Sequence, residues 1–319
     1  MKRINPLFTT ASLTAAFLAG CAATETPTPA GAPAAGQVPA DGVPTEVGHF
    51  EANLTSETQY PTRIAVAADG TVFVSDTTAG NVIGTKDGKR TVVLSNMAEP
   101  MGLAVFGDRL YVGSKGRGTV EVYSLGERRW LMNLDGGKAF TMPNDVAVAD
   151  DGTAFVVDSA ANVVRAYDAD GALVTTLGGE GDGAGQLRFP AAVAVDAQRI
   201  VVGDQGNHRL QVWDRHFNFV RSMGEAISEK ATSVADFKGR FTRVQGLALH
   251  GDDIYVLDSY HSHVQVLSGT GQSKGFLGRG GDCTTCVRLA LGIALDAKGQ
   301  VVATDPELAR WVTLTVEAK

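Results

Sequence analysis

Between residues 60 and 316 the chain alternates short runs of large apolar residues with clusters of Gly, Asp, Asn and Ser, the pattern of strands joined by tight turns. One unit of that pattern, large apolar then alanine then large apolar, recurs six times. It reads Ile64-Ala65-Val66, Leu103-Ala104-Val105, Val146-Ala147-Val148, Val193-Ala194-Val195, Leu247-Ala248-Leu249 and Ile293-Ala294-Leu295, and the alanines stand 39, 43, 47, 54 and 46 residues apart. A period of this size marks an array of similar supersecondary units.

Other positions keep step with the triplet. Four residues before the alanine stand Pro61, Pro100, Pro143, Pro190, Val244 and Ala290; ten or eleven after it stand Asp76, Ser114, Asp158, Asp204, Asp258 and Asp305. Ala68-Asp69-Gly70, Asp150-Asp151-Gly152 and Ala297-Lys298-Gly299 supply hairpin turns. Each unit then predicts four strands, in the first copy Ile64–Ala67, Val72–Ser75, Val82–Thr85 and Thr91–Leu94. Six such units with no long helical period give an all-β, six-bladed β-propeller of four-stranded blades. The alanine follows from that geometry: inner strands converge on the central channel, so one face of each has room for a large side chain and the other for a methyl group. The sixth unit ends after a third strand, Trp311–Val316, so residues 46–50 are expected to supply its fourth and close the ring, leaving no exposed edge there.

The N-terminus carries separate information. Lys2-Arg3 and the apolar stretch Ile4–Ala19 read as a secretory signal, and Leu18-Ala19-Gly20-Cys21 resembles the lipobox of bacterial lipoproteins. That resemblance implies removal of residues 1–20, acylation of Cys21 with palmitate-like chains, and anchoring in a membrane. Residues 22–45, rich in Pro, Ala, Gly and Thr, form a linker, leaving 46–319 as the propeller. Ala22 is not the Asp that retains such proteins at the inner membrane, so an outer-membrane lipoprotein in the periplasm or at the cell surface is expected. Cleavage takes away Lys2 and Arg3 and no acid, leaving 26 basic against 35 acidic side chains. An acidic exported chain without a basic, aromatic-interleaved block is not expected to bind nucleic acid.

The string Leu177-Gly178-Gly179-Glu180-Gly181-Asp182-Gly183-Ala184-Gly185-Gln186-Leu187-Arg188-Phe189-Pro190, with Gly203-Asp204 and Asn207-His208-Arg209-Leu210-Gln211-Val212, resembles an NHL repeat, and His263-Val264-Gln265-Val266 echoes it. The resemblance implies a six-bladed propeller, in agreement with the strand count, and leaves function open, because the fold hosts receptors, scaffolds and enzymes. Amidoglycolate lyases on this fold bind zinc through histidines near the starts of the inner strands, where this chain has none. Gluconolactonase-like propellers hold a divalent metal, and Pro143-Asn144-Asp145 resembles one of their motifs without the second Pro-Asn pair.

Chemistry is sought where blades differ. The aspartates at the repeating position are assigned to backbone N–H groups of the following turn, since a residue needed by every blade serves the blade. The Gly-rich stretch 178–185 leads to a strand, not to the helix N-terminus a phosphate loop requires. Strand alternation puts the starts of the inner strands and the turns after each aspartate on one rim. The ligand-binding candidates there are Arg63, Asn144, Asp145, Gln205, His208, Arg209, Gln245, Tyr260, His261 and His263. His261 and His263, at i and i+2, share a face as metal ligands would, yet they replace ordinary turn residues of the neighbouring copy, and no metal or other cofactor is expected. Cys283 and Cys286 are expected to form a local disulfide, with a redox role as the alternative. The insertion 224–243 is a candidate partner-binding loop. The sequence therefore points to a lipid-anchored extracytoplasmic binding or scaffold propeller for a protein, peptide or envelope carbohydrate. The alternative is a metal-dependent hydrolase or lyase, lactonase-like or amidoglycolate-lyase-like, at the channel mouth.

Overall fold

A computed structural model of the chain describes residues 49–50, 58–231, 233–278 and 286–314. The signal segment, Cys21, the linker and Cys283 lie outside the described residues. Glu46–Lys319 forms one compact unit, all-β apart from three single 3-10 turns and the four-residue helix Val234–Phe237 among the described residues. No helix there is long and apolar enough to cross a membrane.

Six antiparallel sheets follow one another as the blades of a propeller. Blade one runs through Pro61–Val66, Val72–Asp76, Asn81–Lys86 and Lys89–Ser95; blade three through Pro143–Val148, Ala154–Asp158, Val163–Tyr167 and Leu173–Gly178; blade four through Ala192–Val195, Arg199–Asp204, Arg209–Asp214 and Phe219–Met223. Blades two and five have the same four strands, beginning at Pro100 and Val244, and blade six has three described strands, beginning at Ile293.

The alanine triplet organises every interface between blades. The six apolar clusters each join the alanine face of one inner strand to the large-residue face of the next. Ala65 packs with Leu103 and Val105, Ala104 with Val146 and Val148, Ala147 with Val193 and Val195. Ala194 packs with Leu247 and Leu249, Ala248 with Ile293 and Leu295, and Ala294 with Ile64 and Val66, which closes the ring. A methyl group opposite a large side chain is what lets neighbouring sheets approach at interior density.

One expectation is corrected. The N-terminal strand, His49–Phe50, does not complete blade six; it pairs antiparallel with the outer strand of blade one, His49 opposite Ser95 and Phe50 opposite Leu94. The outer strand Lys89–Ser95 offers a free ladder edge close along the chain, and covering it removes one exposed edge. The seam between blades six and one is held instead by side chains: Thr304 Oγ1 donates to the Thr62 carbonyl (3.1 Å) and Thr58 Oγ1 to the Ala309 carbonyl.

The buried aspartates are structural, but they look backward along the chain. Asp158 accepts from the backbone N–H groups of Thr141 (3.1 Å) and Met142 (2.9 Å), Asp258 from Thr242 (2.7 Å) and Arg243 (3.1 Å), and Asp305 from Arg288 (3.0 Å). Each thus pins the segment leading into its own blade, more than the turn that follows. In blade four Asp204 takes the N–H of Arg188 and also the side chains of Asn207, Arg209 and Gln211. Those three in turn clamp the Gly-rich loop: Asn207 Nδ2 donates to the Gly181 carbonyl, Arg209 to those of Gly183 and Gln186, and Gln211 Oε1 accepts from Gly185 N–H. The NHL-like string is therefore a fastening between a loop and the turn beneath it.

Candidate functional site

The mouth of the central channel is occupied by the chain itself. Arg63 starts the inner strand of blade one and is 3% exposed. Its Nε donates to the Asn144 carbonyl at 3.0 Å, one terminal nitrogen to the carbonyls of Gln245 (2.8 Å) and Leu291, and the other to that of Ala191 (2.9 Å). Asn144, Ala191, Gln245 and Leu291 stand at one repeating position, three residues before the triplet alanine in blades three to six. One guanidinium therefore ties four consecutive blades at the axis.

The remaining two carbonyls of that ring are satisfied by hydroxyls. Ser75 Oγ donates to Met101 of blade two (3.1 Å), and Thr304 Oγ1 to Thr62 of blade one. The residues aligned with Ser75 and Thr304 in the other blades are Gly113, Val157, Gly203 and Leu257, which offer no donor. Arg63 serves the four carbonyls for which these positions supply no donor, and Asn144 Nδ2 adds a second bond to that of Ala191. Since a buried carbonyl without a partner costs a desolvation penalty, it is significant that one arginine and two hydroxyls between them reach all six carbonyls of the ring.

Asp145 sits beside this hub, its Oδ1 3.7 Å from Arg63 Nε and its Oδ2 accepting from the Val193 N–H at 3.0 Å. Burial pulls the Arg63 guanidinium below its ordinary value against the opposing pull of Asp145, and burial pushes the Asp145 carboxyl up, opposed by Arg63. Two residues before the triplet alanine, where Arg63 and Asp145 stand, the other blades carry Gly102, Ala192, Gly246 and Gly292. Four small residues leave the axis room for one long side chain and its counter-charge; a Cβ on Gly292 would already stand 2.8 Å from the Thr62 carbonyl oxygen. Beyond the hub, the triplets line a channel cavity of about 340 Å³.

The sequence-derived rim residues thus divide into two groups. Arg63, Asn144 and Gln245 are buried in the hub, and Asn144 Nδ2 also donates to the Ala191 carbonyl at 3.0 Å. Arg209 is half-buried as a loop clamp, and Gln205 opens the 3-10 turn next to it. His208 Nδ1 donates to the Thr242 carbonyl at the entry to blade five, at 2.9 Å. Tyr260 projects from the blade-five turn, 71% exposed.

His261 and His263 are part of an aromatic stack. Their rings lie 5.6 Å apart and nearly parallel at 15°; Phe237 of the insertion covers His261 at 4.8 Å, Phe276 meets His263 edge-on at 4.9 Å, and Tyr260 meets His261 edge-on at 5.0 Å. His261 Nε2 is bonded to Thr242 Oγ1 at 2.9 Å. Burial pushes His263 down to about 4, so it is neutral at ordinary pH. The insertion folds through the parallel pair Glu225–Ala226 and Arg240–Phe241 and through the single turn Val234–Phe237, which brings Phe237 onto the histidines. Cys286 is disulfide-bonded; its expected partner Cys283 lies outside the described residues.

A divalent metal of the lactonase kind does not fit at Asn144 and Asp145. The Arg63 guanidinium fills the axis where a cation would meet the ring of carbonyls, and it stands 3.7 Å from Asp145 Oδ1, so a second cation there would face a buried positive charge. Among the described residues no three His, Cys, Asp or Glu side chains converge as a metal site.

Sequence reasoning singled out Arg63 and Asp145 without their pairing; the signal was there, in one Arg and one Asp among four small residues at one repeating position. It missed Arg188, Phe189 and Arg243, the residues just before two inner strands, which the structure leaves exposed.

Comparison with known proteins agrees with this architecture. Residues 187–213 match the NHL repeat family. A 130-residue stretch is 30% identical to the protein brain tumor of Drosophila melanogaster, covering 40% of this chain and 12% of that protein's length. Among solved structures, a gluconolactonase from Xanthomonas campestris matches with a TM-score of 0.61 at 19% identity, over 82% of this chain and 87% of its own. An auxiliary nutrient binding protein from Bacteroides ovatus matches with a TM-score of 0.62 at 12% identity, over 89% and 75%. A virginiamycin B lyase from Staphylococcus aureus matches with 0.56 at 12% identity, over 83% and 98%. Such low identities speak to fold alone, and with the matched repeat and the blade count they establish that the chain is a six-bladed β-propeller carrying an NHL repeat.

Proposed function

We propose that the protein is a lipid-anchored, extracytoplasmic binding or scaffold propeller that recognises a protein, peptide or envelope ligand on the rim around the Arg63 hub. The observation that carries this reading is the filled channel mouth. With Arg63, Asn144, Asp145 and Gln245 committed to holding blades together, the polar and aromatic side chains left to meet a ligand are those of the lead-in segments and turns. The hydrolase alternative needs a metal beside Asn144 and Asp145, where the buried Arg63 guanidinium already stands. The lipid anchor rests on Lys2-Arg3, the apolar run and Leu18-Ala19-Gly20-Cys21, and it would place the rim in the periplasm or at the cell surface.

Two measurements test the two halves. Cys21→Ser should move the protein from the membrane fraction to the soluble exported fraction and abolish incorporation of labelled palmitate; unchanged fractionation refutes the anchor. A photo-crosslinking residue at Tyr260 should capture partners in cells, whereas one at Phe106, at the opposite end of an inner strand, should not. Equal capture from both faces refutes the rim.

A further inference from the structure

The rim is not uniform. Over blades four and five it displays Arg188, Phe189, Arg243 and Tyr260, all exposed, with Tyr260 the most exposed large apolar side chain described. The side chains of Arg188 and Arg243 have no ion-pair or hydrogen-bond partner among the described residues. Most other described guanidinium groups, Arg90 of blade one excepted, are spent on carboxylates or carbonyls, as in Arg165 on Asp158, Arg209 on Asp204 and Arg199 on Asp196. Phe189 is presented at a backbone φ of +46°, a region that bulky residues rarely occupy, and its N–H is held by Asn162 Oδ1 at 2.7 Å.

These residues form one track. The N–H of Gly206 donates to the Arg188 carbonyl (2.8 Å), fixing the arginine against the blade-four turn. From that turn His208 Nδ1 donates to the Thr242 carbonyl, next to Arg243. Thr242 Oγ1 is bonded to His261, whose ring contacts Tyr260. These contacts tie the segment bearing Arg188 and Phe189 to the one bearing Arg243 and to Tyr260.

Its charge is opposite to that of the molecule. The chain is net −7, and an anion repelled by most of the surface finds two unpaired guanidinium groups here. Guanidinium forks bind carboxylates in pairs of parallel hydrogen bonds, and Arg and Tyr together are the residues that dominate protein-recognition surfaces. We infer that the blade-four to blade-five rim docks an acidic, extended segment of a partner protein, its carboxylates on Arg188 and Arg243 and its apolar side chains against Phe189 and Tyr260. This rests on the rim-binding function proposed above and narrows it to one third of the ring and one ligand chemistry.

The experiment titrates the mature, acylated protein in detergent with three fluorescent peptides of equal length and equal Leu and Phe content, one carrying Glu, one Gln and one Lys, and with an oligo-uronate as the anionic sugar. Anisotropy is read at low and high salt. The Glu peptide should bind about tenfold or more tighter than the Gln peptide and weaken with salt, and the Lys peptide should not bind. Arg188→Glu and Arg243→Glu should each lose about tenfold or more, and Tyr260→Ala about fivefold without altering the salt dependence, while Lys86→Glu on blade one changes nothing. Unchanged unfolding midpoints show that the variants are folded. Equal binding of the three peptides, or indifference to both charge reversals, overturns the inference; tighter binding of the oligo-uronate with the same arginine dependence overturns the protein partner in favour of a sugar. Cross-links in cells from rim positions on blades one to three alone would sink this inference and leave rim binding standing, whereas no rim cross-links at all would sink both.

Discussion

Replacing Arg63 by alanine tests the hub directly. The substitution removes the donor for the carbonyls of Asn144, Ala191, Gln245 and Leu291 and leaves the Asp145 carboxylate buried without its counter-charge. Summing four charge-assisted bonds at about 1.5–3 kcal/mol each would overstate the loss, because extracting a guanidinium from water opposes them and water can enter the space left behind. The better guide is the cost of breaking a buried ion pair by removing one member, about 3–5 kcal/mol. For a domain of this size that lowers the thermal midpoint by roughly 6–10 °C. Scanning calorimetry on the propeller and its variants gives the number. Three accompanying results would tie it to the mechanism. Asp145→Asn in the Arg63→Ala background should recover part of the loss, because the stranded charge is gone. Low millimolar guanidinium, far below denaturing concentration, should raise the midpoint of Arg63→Ala and not of the parent. The deficit should also be smallest in acid: without Arg63 nothing but hydrogen bonding opposes the burial that pushes Asp145 up, so stability is lost as pH rises from its unfolded value through the raised folded one. A variant within about 1 kcal/mol of the parent, with no recovery from Asp145→Asn, refutes the hub.

Other outcomes follow from the same contacts. His263, held down to about 4 by burial, binds fewer protons folded than unfolded, so its contribution is complete above about pH 6.5 and is lost as pH falls toward 4. His263→Gln should flatten the parent's stability slope in that window by up to about 3 kcal/mol, measured by chemical denaturation at successive pH values; an unchanged slope refutes the assignment. Asp204→Asn puts an amide donor against the N–H of Arg188 and the donors of Asn207, Arg209 and Gln211, and should cost about 3 kcal/mol or more, with the first loss of amide-exchange protection in the Gly-rich loop. Ala194→Leu forces a large side chain against Leu247 and Leu249 and should cost about 1–3 kcal/mol, whereas the same change at exposed Ala184 should be nearly neutral in denaturant unfolding.

The blades were legible in the sequence because each inner strand meets the same neighbours. Every triplet alanine faces a large pair on the next blade, so the requirement repeats six times and stands out from composition. The aspartates repeat for a similar reason, although the following turn supplies only a few of their backbone partners, Ala79 to Asp76 and Tyr260 to Asp258, and the preceding segment supplies most; backbone donors carry no side-chain signature, so that balance could not be read. The N-terminal strand was misplaced because pairing with the edge of blade one or of blade six makes the same demand on so short a segment.

The hub and the track escaped the repeat for opposite reasons. A six-fold ring has one axis, which a single long side chain can fill, so Arg63 had to break the pattern rather than follow it, and its neighbours answered with Gly102, Ala192, Gly246 and Gly292. The economy is visible in the hydroxyls as well: where Ser75 and Thr304 satisfy the next blade's carbonyl, Arg63 makes no bond, and where glycine, valine or leucine stands, it does. Blades that satisfied their own carbonyls throughout would not need a central cation, and the channel could then admit a ligand. Here the axis is spent on cohesion, and the recognition proposed above would fall to lead-in segments whose sequence the fold does not dictate. Arg188, Phe189 and Arg243 are free to vary from blade to blade without disturbing a core contact, and the same freedom hides them from a reading built on repetition.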